Sequence, residues 1–179
     1  MRHLMLLTIV FLSFFLFTTC WNPFSPEEGQ LQKISSISLK DPLNVLNRIA
    51  LSYQNRDINL YTSTFDSTNF VFIFDPKDEG LLEYLQQLGI TNYSWGFTEE
   101  YLSTKSIFES MKEKDIVIIP VFSGGYEQKF GDTLVVIVRS YNFEPPVIEG
   151  EIVEGTVHFW VKRCKDNLWR IIKWYDYVR

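Results

Sequence analysis

The sequence predicts an α+β domain, with N-terminal helices packed on a strongly curved, mainly antiparallel sheet. Three observations lead there. Apolar residues recur at helical spacing between 41 and 65, long β-branched and aromatic runs fill the chain after Lys114, and aromatic residues make up 16% of the whole. So many flat rings suit a pleated surface.

The helical part begins at Asp41, a good N-cap followed by Pro42, which loses nothing at a first helical position. Leu43, Leu46, Ile49, Ala50 and Tyr53 then form one apolar stripe to about Gln54, and Asp57 can cap a second short helix through Ile58, Tyr61 and Phe65. The run 69–75 (NFVFIFD) reads as a strand, 81–88 as a short helix closed by Gly89, and 98–111 as a helix capped by Thr98 with Leu102, Ile107, Phe108 and Met111 facing inward. Trp95, between them, is read in a loop. Strands are expected at 115–122, 132–143, 150–164 and 168–178, with turns at Ser123-Gly124-Gly125, Pro145-Pro146 and Lys165-Asp166-Asn167. Such short connections favour antiparallel neighbours.

With 179 residues the chain has room for one domain with a real core. The expected organisation is a signal peptide at 1–20, a flexible tether at 21–40 and a single domain at 41–179. Arg2 and His3 precede fourteen uncharged residues, Leu4 to Phe17. This is the length of a signal-peptide core and short of the about 20 apolar residues that span a membrane. The residues Phe17-Thr18-Thr19-Cys20 resemble the lipobox of bacterial lipoproteins, in which the cysteine is acylated. That resemblance implies lipidation at Cys20, a membrane partner held through the lipid, and a place in the cell envelope outside the cytoplasm; the alternative is plain secretion. The chain has two cysteines, so an acylated Cys20 leaves Cys164 without an intramolecular partner, whereas a Cys20–Cys164 disulfide excludes the lipid.

Composition excludes several function classes. The net charge is −5 and Arg2 is the one charged side chain in the leader, so the remainder carries −6. Lys162, Arg163, Lys165, Arg170 and Lys173 are the nearest approach to a basic cluster, and they read as a solvated hairpin rim, so no nucleic acid partner is expected. One His and one Cys beyond the leader do not make a metal site, and no cofactor is expected.

The opening helix ending in Tyr53-Gln54-Asn55-Arg56-Asp57, the Tyr61 to Phe65 turn into the next strand, and the closing Trp169-Arg170-Ile171-Ile172 strand together resemble the nuclear-transport-factor-2-like superfamily. Trp95 before a helix and the Trp174-Tyr175-Asp176 ending are similar to uncharacterised bacterial lipoproteins of that fold. The resemblance implies a cystatin-like cone with a pocket between helices and sheet, a sheet face that forms homodimers in some members, and, in its enzymes, a carboxylate base with a tyrosine or a protonated acid beside it.

Asp57 and His158 are the candidate catalytic residues, each with a plainer reading: Asp57 as a helix cap, His158 as an outward-facing strand residue sharing its face with Trp160, Lys162 and Cys164. Tyr53, Tyr61 and Trp95 are the candidate ligand-binding residues, and Asp176 is read as an ion-pair partner of Arg170 or Arg139. The functional expectation is a non-catalytic module that binds a small molecule or an envelope protein; the alternative is a pocket enzyme of isomerase or dehydratase type.

Overall fold

The computed structural model describes residues 37–87, 89–90, 93–148 and 151–178. The expected leader, Cys20 and the tether up to 36 lie outside them. Leu39 does not belong to a tether: it is buried in the core, and its carbonyl accepts from Trp169 N at 2.7 Å.

The chain runs α1 (Asn44–Asn55), α2 (Ile58–Thr62), β1 (Val71–Ile73), α3 (Glu79–Gln87), β2 (Ser94–Gly96), α4 (Phe97–Glu113), β3 (Ile119–Phe130), β4 (Leu134–Ile148), β5 (Glu151–Arg163) and β6 (Trp169–Val178). The strands form one sheet in the order β2-β1-β6-β5-β4-β3. β3 to β6 are an antiparallel meander, β1 lies parallel to β6, and β2 closes the edge antiparallel to β1. N-terminal helices over a mainly antiparallel, curled sheet are the architecture expected.

Local chemistry accounts for most boundaries. Asp57 Oδ1 accepts from Asn59 N at 2.9 Å and Leu60 N at 3.0 Å, covering two amides that α2 cannot satisfy itself. Asp41 sits earlier than a cap should: its carboxylate accepts from Leu43 N in a turn, and α1 starts at Asn44. The N-cap of α4 is Gly96 rather than Thr98, and Glu99 Oε2 accepts from its amide at 3.1 Å.

Two expected turns are irregularities inside strands. At Ser123-Gly124-Gly125, β3 carries one extra residue opposite β4, because Ser123 pairs with Ser140 and Tyr126 with Val138. Gly125 has φ +79°, and a Cβ there would lie 1.9 Å from the Val138 carbonyl oxygen, so no larger residue fits. Pro145-Pro146 likewise lies within β4, where the register with β5 shifts between Asn142 and Val147; the Glu144–Pro145 bond is cis.

A third bulge positions the site. In β6 the early inward residues are Trp169 and Ile171, both buried. Val161 pairs with Ile171 and Trp160 with Lys173, leaving Ile172 extra. The alternation therefore switches, and Trp174 and Asp176 stand opposite Phe159 and Val157, whose side chains are fully buried in the core.

Candidate functional site

The site begins on α4. Its buried face is Glu100, Thr104, Phe108 and Met111, one residue per turn. Of the residues expected inward, Phe108 and Met111 are buried and Ile107, 41% exposed, lies on the same side as Glu100 and Thr104, whereas Leu102 is 57% exposed, because the helix is rotated to bring a carboxylate under the sheet. Glu100 is held there by three donors. The Tyr61 hydroxyl donates to Oε1, Thr104 Oγ1 donates to Oε1 at 3.2 Å, and Trp95 Nε1 donates to Oε2 at 2.9 Å. Burial still pushes the Glu100 carboxyl above its ordinary range, the hydrogen bonds opposing, and burial next to Glu100 pushes the Tyr61 hydroxyl up as well.

A second carboxyl–tyrosine pair faces the same space from the sheet. Tyr141 on β4 donates to Asp176 Oδ2 at 3.3 Å. Burial raises Asp176 to about 6, helped by the negative charges of Glu100 and Asp75 and opposed by the Tyr141 bond. Neither arginine expected beside it is there: Arg170 pairs with Asp166 and Arg139 with Glu127.

Between the two pairs lies a cavity of about 220 Å³. Tyr53, Phe122, Phe143 and Trp174 supply aromatic wall, and Glu100, Thr104 and Asp176 supply the polar part. Trp174 Nε1 and Asp176 Oδ1 are buried without a hydrogen-bond partner among the described residues. A larger groove of about 660 Å³ lies at the β5–β6 hairpin, but it is open, and its Arg170 and Asp166 satisfy each other at 2.9 and 2.7 Å.

The structure brings Tyr53, Tyr61 and Trp95 together on this cavity. Tyr53 is buried, packs edge-on against Tyr61 and Phe108, and has its hydroxyl pushed up by burial. Trp95 is not in a loop: it pairs with Phe72 as the middle of β2 and packs on Phe72 and Phe74. The two catalytic candidates stand elsewhere. Asp57 is occupied as the α2 cap, and His158 lies on the outer sheet face against Tyr177, 4.9 Å between ring centres, with partial burial lowering its pKa. Cys164 is half-buried, with Sγ 4.0 Å from Asp66 Oδ2. Among the described residues no group of three His, Cys, Asp or Glu could hold a metal, and no helix is long and apolar enough to cross a membrane.

Sequence reasoning missed Glu100, Thr104, Tyr141 and Trp174. The signal for the first two was the 100, 104, 108, 111 spacing, hidden because two of the four are polar.

No family model matches the chain, and no curated protein matches it. Solved structures do. An NTF2-like protein of unknown function from Shewanella oneidensis MR-1 superposes with a TM-score of 0.55 at 12% identity, over 75% of this chain and 93% of that one. A domain of unknown function with a cystatin-like fold from Nostoc punctiforme PCC 73102 gives 0.53 at 8%, over 75% and 73%. The beta subunit of benzoate 1,2-dioxygenase from Burkholderia mallei ATCC 23344 gives 0.54 at 10%, over 80% and 92%. The chain has the cystatin-like, nuclear-transport-factor-2-like fold.

Proposed function

We propose that this chain is an exported, lipid-anchored binding module of the cell envelope whose cone cavity holds a small molecule. The observation that carries the binding reading is the pair of buried polar atoms without partners, Trp174 Nε1 and Asp176 Oδ1, in the wall of an aromatic cavity. A buried donor or acceptor left unpaired costs about 1–3 kcal/mol, and a ligand that pairs it recovers that cost. At about 220 Å³ the cavity is below the about 300 Å³ at which drug-sized sites begin, so the ligand is small. The test is a melting screen of the purified chain against small polar-headed aromatic compounds, wild type beside Trp174→Phe. Stabilisation of the wild type alone supports the reading; equal shifts in both sink it.

Export and anchoring rest on residues 1–20. Fatty-acid labelling that persists in Cys20→Ala would refute the lipid. The outer sheet face, where Tyr126 and Phe130 are 57% and 45% exposed near Trp160, is assigned to a second copy of the chain; a monomeric mass at high concentration removes that assignment.

A second reading, a proton-transferring enzyme of isomerase or dehydratase type, is favoured by the two carboxyl–tyrosine pairs on one cavity. Asp176, near 6, is ionised enough at neutral pH to take a proton from a carbon acid and return it, while a tyrosine hydroxyl bonds the substrate oxygen. Asp176→Asn then abolishes turnover and retains binding of the substrate. Unchanged turnover in that variant removes the enzyme.

A further inference from the structure

We infer that the molecule held in this cavity is a small organic cation, a protonated amine on a flat apolar body, with Asp176 as its counter-ion. This rests on the cavity being a binding site and adds the charge of what it binds.

Two carboxyls face the cavity and, among the described residues, no Lys, Arg or His lines it. The groups that act on Asp176 come from every side. Tyr141 reaches it from β4, Glu100 acts from α4, Tyr53 from α1 and Asp75 from the segment after β1; none is cationic. Among the described residues nothing compensates the charge of Asp176. An anion entering here meets two carboxyls and, among the described residues, no basic side chain to offset them.

Glu100 already accepts three hydrogen bonds, whereas Asp176 Oδ1 has no hydrogen-bond partner among the described residues. An ammonium N–H fits that vacancy as a charge-assisted bond. The aromatic wall of Tyr53, Phe122, Phe143 and Trp174 suits the flat apolar body of the molecule. Trp174 Nε1–H can donate to an acceptor elsewhere on the same molecule. Burial holds part of the Asp176 population protonated near neutral pH, and a bound cation draws it to the carboxylate, so binding releases a proton.

The experiment measures binding of 2-phenylethylamine, 2-phenylethanol and phenylacetate to the purified full chain by calorimetry at pH 7.5 and pH 5. The amine is expected to bind about tenfold or more tighter than the alcohol at pH 7.5 and to weaken roughly tenfold at pH 5 as Asp176 takes up its proton, while the alcohol is unaffected. Asp176→Asn, which keeps the shape, brings the amine down to the alcohol's affinity; a cooperative melt shows that the variant is folded. An alcohol that equals the amine, or an amine indifferent to Asp176→Asn, overturns the cation while leaving the cavity a binding site. If none of the three binds, the cation is overturned and the cavity reading stands or falls by the melting screen.

Discussion

The Tyr61 hydroxyl donates to Glu100 Oε1 across 39 positions of sequence, both side chains being buried. The bond ties α2 to α4 and fixes the carboxyl at the cavity wall. Tyr61→Phe removes one of three donors and is expected to lower stability by about 1–3 kcal/mol, as for other buried hydrogen bonds to charged groups. Urea unfolding of Tyr61→Phe, Glu100→Gln and the double variant checks it. The two losses should combine to less than their sum, and strict additivity contradicts the coupling.

Asp176 makes stability depend on pH with a definite sign. Its folded-state pKa, about 6, lies above the ordinary 3.8, so between these values the native protein binds more protons than the unfolded chain. The contribution of this group is fully present below pH 4 and is lost as pH rises through 6, by at most about 3 kcal/mol. Asp176→Asn should flatten that part of the profile and raise stability at pH 7. Denaturant melts from pH 4 to 7.5 measure it; a wild-type profile parallel to that of the variant counts against the shift.

Asp57→Ala strips two amides of α2 of their acceptor and is expected to cost about 1 kcal/mol, with ligand binding unchanged. A melting curve with a binding isotherm separates this from a role in the cavity, where affinity itself would fall.

Gly155→Ala attacks the site through packing. A Cβ there would lie 2.6 Å from the Tyr177 carbonyl oxygen and 2.7 Å from Tyr141 Cε1, and the ring is the part able to move. A loss of about 1–3 kcal/mol follows from overpacking, together with weaker binding as Tyr141 leaves Asp176. Binding that survives at full strength would separate Tyr141 from the site.

Much of this molecule was legible from residue types. The Asp57 cap, the stripe of α1 and the four strands after Lys114 follow from rules that act within a few residues. The site was harder because it depends on rotation and parity. α4 turns Glu100 and Thr104 inward at the expense of Leu102, which no apolar count anticipates, since the compensation comes from Tyr61 and Trp95 elsewhere in the chain. On β6, strict alternation from Ile171 would put Lys173 and Tyr175 inside; the single extra residue at Ile172 puts Trp174 and Asp176 there instead. Ser123-Gly124-Gly125 misled for a related reason, since glycines that suit a reversal suit a bulge equally well.

The bond from Trp169 N to the Leu39 carbonyl bears on how the domain would carry a mechanical load. A pull arriving along the chain from the N-terminal side meets the sheet first at Leu39, whose side chain is plugged into the core, and passes to the start of β6. Trp174 lies five residues further on, about 17 Å along an extended strand. Tension entering at Leu39 is therefore taken up at the end of β6 remote from the cavity, and the pocket is insulated from it.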